Sequence, residues 1–276
     1  MKHTFITKKS FWLNVIGVII ALVYLFPIYW MVITSFKTQS EIFQVPPTLF
    51  PKDFSLASYT GQLGAQLFGM VGNSFIIAFS AMVIVLLTAV PAAYALARYR
   101  MKLTGIIMLF FLVTQMLPAT VVLAPLFISF EQLNVLNTYI APILATTTLG
   151  IPFSVLILRP YFLSAPVALE EAALIDGASK FRAFFTIILP IVRPGIFVAG
   201  AISFLFAWGD LIFSLTFIRD QSLWPLTAGM YNAIGQYGVQ YNFLMAFATI
   251  SVIPVVVIFL SLQQHLVKGL TAGSVK

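Results

Sequence analysis

The chain of 276 residues has no cysteine and only two histidines. No disulfide, thiolate nucleophile or cysteine-ligated metal can be built from it. His3 and His265 sit at opposite ends of the sequence, and the carboxylates form no constellation suited to acid–base catalysis. Charge is scarce too: Asp, Glu, Lys and Arg make up 8% of the residues, against about 25% in an average soluble domain. A water-soluble globule of this size cannot cover its surface with so few charges. That excludes a soluble enzyme, a disordered chain and a nucleic-acid-binding module. No Gly-x-x-x-x-Gly-Lys-Ser/Thr run is present, so no phosphate-cradling loop is available. Gly177-Ala178-Ser179-Lys180 has the wrong spacing for one.

What the chain does contain is apolar length. Hydrophobic residues make up 61% and aromatic residues 15%. A bilayer core about 30 Å thick needs a helix of about 20 apolar residues. Uncharged or nearly uncharged stretches of that length run over 10–36, 71–97, 103–130, 139–158, 196–218 and 243–264, the fifth interrupted by Asp210. Backbone groups in lipid must be satisfied within the segment, so each stretch is predicted to be a helix. They are too long and too uniformly apolar for barrel strands, which alternate. The first stretch has the basic start of a signal peptide, but its apolar run exceeds a signal core and no small-residue cleavage site follows. It reads as a retained helix. Pro27, Pro91, Pro118, Pro125, Pro142, Pro152 and Pro254 fall in or near these stretches. Each removes a backbone hydrogen bond and can kink its helix, although proline is simply commoner in membrane helices than in soluble ones.

The net charge of +7 is distributed unevenly. Lys2, Lys8, Lys9, Arg98, Arg100, Lys102, Arg159, Lys180, Arg182, Arg193, Lys268 and Lys276 fall on one side of the alternating spans, and Lys37, Lys52 and Arg219 on the other. The positive-inside rule then places both termini in the cytoplasm with six crossings. The expected class is an all-α integral membrane protein. Its expected divisions are an N-terminal helix and external loop over 1–70, a transmembrane core over 71–265 with a cytoplasmic loop over 159–194, and a cytoplasmic tail over 266–276.

That loop is longer than a connector requires. Ser164 is a candidate cap for a short helix and Pro166 suits its first turn. Glu170 and Glu171 lie early, where the helix dipole favours acids, and Gly177 is a natural stop. A second short helix is expected to start at Ser179 and end before Pro190. Leu169, Ala172, Ala173 and Ile175 would give the first helix an apolar, small-residue surface. An amphipathic helix resting on lipid would carry a basic polar face. This one is acidic, which favours docking onto a protein.

At these residues the sequence resembles a known family. Glu171-Ala172-Ala173, three residues, Gly177, nine residues, Ile187, one residue and Leu189-Pro190 match the EAA motif of ABC importer permease subunits. Ala172 to Pro194 is similar to the carbohydrate branch, and in particular to the maltose-type second permease. Trp208-Gly209-Asp210 falls where that branch often has Trp-Asn-Glu or Trp-Asn-Asp, so the Gly departs from the pattern. The ending from Gln264 to Gly273 also looks like that group's tail.

The resemblance implies a type I importer fold. It implies a motif helix seated in a separate ATPase, with Leu169, Glu171, Ala172, Ala173, Asp176 and Gly177 as the coupling contact. It also implies a C-terminal ATPase contact through Lys268, Gly269 and Thr271. Two ATPase subunits binding ATP and Mg, a second permease subunit and an extracytoplasmic solute-binding protein complete the implied assembly, in a prokaryotic cell membrane. This chain itself would be no enzyme and would hold no cofactor or metal.

Asp210 is the only charged residue within an apolar span, and a mid-membrane acid is a functional candidate by default. It lies about 21 Å along its span from Ile196 at 1.5 Å per residue, so an outer-interface position is an equal reading. Asp210, Trp208 and Asn73 are the candidates for the solute path, with Gln115 and Tyr231 as further polar or aromatic positions. Each has an ordinary packing role as its alternative. The segment from Asp220 to Asn242 reads either as a short helix at the outer surface or as a loop with aromatic anchors. Two functional alternatives stay open: a self-contained secondary transporter or channel, and an ABC permease for a non-sugar solute such as a glycerol phosphate.

Overall fold

The computed structural model describes the backbone of residues 8–60, 62–99, 101–232, 234 and 238–272, and their side chains except at 8–10, 62–63, 232 and 264–272. Lys2, Arg100, Gln236, Tyr237 and Lys276 lie outside the described residues, as do the side chains of Lys8, Lys9, His265, Lys268 and Thr271. The chain divides into two compact units, Met1–Phe68 with Met230–Ile253 and Gly69–Gly229 with Pro254–Lys276.

In the first unit, helix α1 (Lys8–Ser35) is apolar on all sides, and its most apolar window is nowhere buried by its own chain. Order begins at its far end. Glu41 is buried and accepts from Thr48 Oγ1 at 2.7 Å and Lys52 N at 2.9 Å. Lys37 Nζ donates to Thr48 O and lies 4.7 Å from the Trp30 ring centre. Tyr59 OH donates to Ser35 Oγ at 2.6 Å. Burial pushes the Glu41 carboxyl up, but the donors from Thr48, Lys52 and Asp53 and the nearby Lys37 charge outweigh it. The carboxyl is held below its usual value.

The second unit is a helix bundle. Its members are α2 (Gln62–Arg98, from Gly69 on), α3 (Thr104–Met116), α4 (Ala119–Gln132), α5 (Ile140–Ser164), α6 (Val167–Ile175), α7 (Lys180–Trp208), α8 (Ile212–Phe217), α9 (Leu226–Asn232) and the later part of α10 (Tyr241–Ala272). The central helix is α5, packed against α3, α7 and α8. Val85, Ala89 and Ala93 of α2 meet Val155, Leu158 and Phe162 of α5 and Ile188, Val192 and Ala199 of α7. Small residues let the backbones approach. A Cβ at Gly195 would lie 2.5 Å from the Tyr161 ring. The buried Ser154 and Ser203 hydroxyls meet at 3.0 Å between α5 and α7.

The expected third span, 103–130, is not one helix. It breaks at Leu117-Pro118 into α3 and α4, bent by 98°. Leu117 is extended, and Pro118 offers no N–H to continue the ladder. The broken pair still crosses once. It starts just after the end of α2 and finishes at a loop where Asn137 N donates to Phe217 O and Asn137 Oδ1 accepts from Arg219 and Asp220. From there α5 runs back about 37 Å, over 25 residues. Its end returns to the end of α2, where Arg159 Nε donates to Leu96 O. With α1, α2, α5, α7 and α10, the pair, taken as one span, brings the candidate membrane helices to six, the number the charge pattern expects.

The fifth span also differs from expectation. It ends at Trp208 rather than Ile218, and it begins at Lys180. The second loop helix therefore does not stop before Pro190 but runs into the span. A single π turn, Phe184–Ile188, precedes Leu189-Pro190. Its i→i+5 bonding takes up the register around a residue without an N–H.

Candidate coupling site

Helix α6 is nine residues long and its ends are set by local chemistry. Pro166 supplies a fixed φ of −61° at the N-cap. Ser164, the expected cap, instead donates to Tyr161 O at the end of α5. At the other end Gly177 adopts φ +85°. Ala178 N donates to Ala173 O at 2.9 Å and Gly177 N to Leu174 O at 3.1 Å. This is a complete Schellman closure, which a side chain at Gly177 would strain. The chain reverses and α7 starts at once, with Ser179 Oγ accepting from Arg182 N.

Between the two helices lies an open groove of about 470 Å³, lined by Leu169, Ala172, Ala173, Asp176, Gly177, Ala178, Arg182 and Ile187. Five of the six expected coupling residues thus share one concave surface. Glu171, the sixth, is exposed beside it and does not line it. The rim is unusually apolar: Ile175 is 86% exposed, Phe181 73%, and Leu169, Leu174 and Phe185 are exposed as well. The Phe181 and Phe185 rings lie 4.5 Å apart, tilted at 52°. Exposed apolar side chains grouped in this way mark an interaction surface. The groove aims no nucleophile or paired acid at its interior. Its chemistry is that of a socket with small apolar walls and one acid and one guanidinium at the edge.

The neighbouring acid does something the sequence did not reveal. Glu170 turns inward, about 100° around the helix from Glu171. Its Oε1 accepts from Tyr94 OH, and its Oε2 lies 3.2 Å from Arg98 Nε. That ion pair is off the line of a good hydrogen bond. Arg98 spends Nη2 on Ala165 O at 2.8 Å. Tyr94 and Arg98 stand one turn apart on α2 and so share a face. Their spacing was the available signal, but nothing in it indicates a partner 76 residues later.

The solute-path candidates occupy a different environment. Asn73 is buried, its Nδ2 donating to Ser222 O and Trp224 O at 2.9 Å each and its Oδ1 accepting from Tyr139 OH at 2.8 Å. Trp208 is buried and stacked on Phe204. Asp210 interrupts the span: its carboxylate accepts from Phe213 N, Ser214 N and Ser214 Oγ, capping α8, while its carbonyl accepts from Thr227 Oγ1. Trp208 and Asp210 flank the α7–α8 break and Asn73 is tied to the turn after α8, each in a local hydrogen-bond or packing role. Gln115 donates to Leu149 O, and Tyr231 is exposed. Lys268, Gly269 and Thr271 fall in the last turns of α10.

Residues 87–272 match the family described as the binding-protein-dependent transport system inner membrane component. The chain belongs to this family. It is 35% identical over 253 residues to the sulfoquinovosyl glycerol transport system permease protein SmoH of Agrobacterium fabrum, covering 91% of this chain and 89% of that one. It is 31% identical over 266 residues to the diacetylchitobiose uptake system permease protein DasC of Streptomyces coelicolor, covering 96% of each. In fold it is similar to a chain from the crystal structure of a bacterial ABC transporter involved in alginate import. The TM-score is 0.77 at 20% identity, over 95% of this chain and 99% of that one. As a family member, the chain is a multi-pass permease subunit of a binding-protein-dependent transport system of the ABC class.

Proposed function

We propose that this permease forms half of a translocation path for a sugar or oligosaccharide and takes its energy from a separate ATPase that seats on α6. The observation that carries the docking reading is the α6–α7 groove. It has small walls, a Schellman turn at Gly177 and exposed apolar side chains on both helices that no described residue covers. Leu169, Ala172, Ala173, Asp176 and Gly177 form the socket floor and Glu171 its charged flank. The end of α10, with Lys268, Gly269 and Thr271, makes a second contact. ATP and Mg are bound and hydrolysed by the partner. The full assembly has two ATPases, a second permease and an extracytoplasmic binding protein. On this reading 71–265 is the transport core, 1–70 its membrane-anchored outer extension and 266–276 a tail on the ATPase side. The sugar class is supported by relatives named for sulfoquinovosyl glycerol transport and diacetylchitobiose uptake. Asn73, Trp208 and Asp210 shape the path by holding its wall, since their polar groups or rings are engaged within the chain.

The test is purification of the tagged chain from native membranes in mild detergent, with mass spectrometry of its companions. An ATPase and a second permease should accompany it, and Glu171→Lys or Gly177→Asp should release the ATPase while the chain remains inserted. Recovery of the chain alone, moving solute in liposomes without ATP, would replace this reading with a self-contained transporter.

A further inference from the structure

Two adjacent acids on α6 point about 100° apart around the helix, and only the outward one belongs to the docking surface. Glu170 is 13% exposed and its partner Arg98 8%. Breaking a pair that is this far from water leaves an uncompensated charge. The pair is also enclosed by rings. Tyr94 packs edge-on to Phe162 of α5 at 5.7 Å and lies 4.7 Å from Phe184 at the π turn of α7. Arg98 reaches past Glu170 to Ala165 O, the residue that joins α5 to α6. One residue pair on the last turns of α2 therefore holds the start of α6, the end of α5 and the entry to α7 in a single cluster. Among the described residues α6 also packs on the first turns of α7. A displacement applied to α6 from outside has this cluster as a polar connection to α2.

We propose that Tyr94, Arg98 and Glu170 act as a clamp that passes the movement of α6 to α2, so that they are positioning residues for energy coupling rather than part of the ATPase contact. The proposal rests on the reading of α6 as the docking helix. It separates two functions within one dipeptide: Glu171 captures the ATPase and Glu170 transmits its stroke.

The absence of cysteine makes the test direct. Leu87, 71% exposed on α2, is replaced by cysteine and given an environment-sensitive fluorophore in the complex purified with its ATPase. The probe of the cycle is ATP with Mg and vanadate. The labelled parent should show a nucleotide-dependent change. In Glu170→Gln and Arg98→Gln the ATPase should still co-purify and hydrolyse ATP. The fluorescence change should be largely lost. Tyr94→Phe keeps the ring packing and should lose less. The double swap Arg98→Glu with Glu170→Arg should restore part of the response, which a general loss of stability would not allow.

An undiminished change in the single variants, or no recovery in the swap, overturns the clamp and leaves the docking reading standing. Loss of the ATPase from Glu170→Gln overturns it as well, because the pair would then merely shape the docking surface. A parent preparation without any ATPase overturns both readings together.

Discussion

The α6–α7 corner and the α7–α8 break are both places where a long apolar run is interrupted, and they end in opposite ways. At the corner, Gly177 and the π turn reverse the chain and leave Leu169, Ile175 and Phe181 open to whatever lies outside. At the break and the turn beyond α8, Asp210, Ser214, Thr227, Asn73 and Tyr139 spend their hydrogen bonds on one another and on nearby backbone. A buried polar group in an apolar setting is costly unless paired, so the break is closed for its own sake. An exposed apolar cluster carries no such internal resolution among the described residues, and the proposed docking supplies its occupant from another chain. Polar content alone is thus a poor guide to function in this bundle. The polar break holds the chain together, and the apolar corner is the surface proposed for a partner.

The contrast can be broken most severely at Asn73. Asn73→Leu strips partners from Ser222 O, Trp224 O and Tyr139 OH. At about 1–3 kcal/mol for each buried unpaired group, the loss should reach about 3 kcal/mol or more. Thermal unfolding in detergent should show a clear fall in midpoint. The corner should respond differently. Leu169→Glu should leave that midpoint unmoved while weakening ATPase capture by about 2 kcal/mol, or roughly 30-fold, as a hot-spot residue does. Titration with the purified ATPase reads this directly. A drop in stability without a drop in capture would reverse the assignment of the two regions.

Asp210→Ala should cost about 1 kcal/mol, the usual value of a helix cap, again seen in the unfolding midpoint. The smallest effect concerns the first unit. The Glu41 carboxyl is held below its ordinary 4.5 by the Thr48, Lys52 and Asp53 donors, against the opposing pull of burial. Its stabilisation is therefore present above about pH 4.5 and is lost as pH falls through the lower folded value. Midpoints of parent and Glu41→Gln should differ at neutral pH and converge in acid.

Much of this could be read from the residues. Uncharged length located the crossings, and the alternation of Lys and Arg gave their number even where one span proved broken. Pro166 and Gly177 marked both ends of α6 because a fixed φ and a positive φ are local properties. What escaped were features set by distant partners or by uniform composition. Pro118 looked like six other prolines, of which Pro27, Pro91, Pro125, Pro152 and Pro254 sit inside helices that continue. The 98° bend at Pro118 came from an extended Leu117, which no apolar pattern encodes. Asp210 stood out as a lone intramembrane acid, and its role as the cap of α8 depended on the chain turning at Gly209, which hydropathy does not register. Glu170 could not be told from Glu171 until Arg98 was folded against it.

That last distinction bears on how such machines are inherited. Glu170 and its partners belong to one polypeptide and pass on together, so a change at Arg98 can be answered within the same gene. On the proposed docking, Glu171 and the groove beside it answer to a different gene product. An ATPase borrowed from another transporter would then have to match only the outward face of α6, while the inward face arrives already matched. On that reading one helix of nine residues divides the protein into a portion free to exchange motors and a portion that keeps its own history.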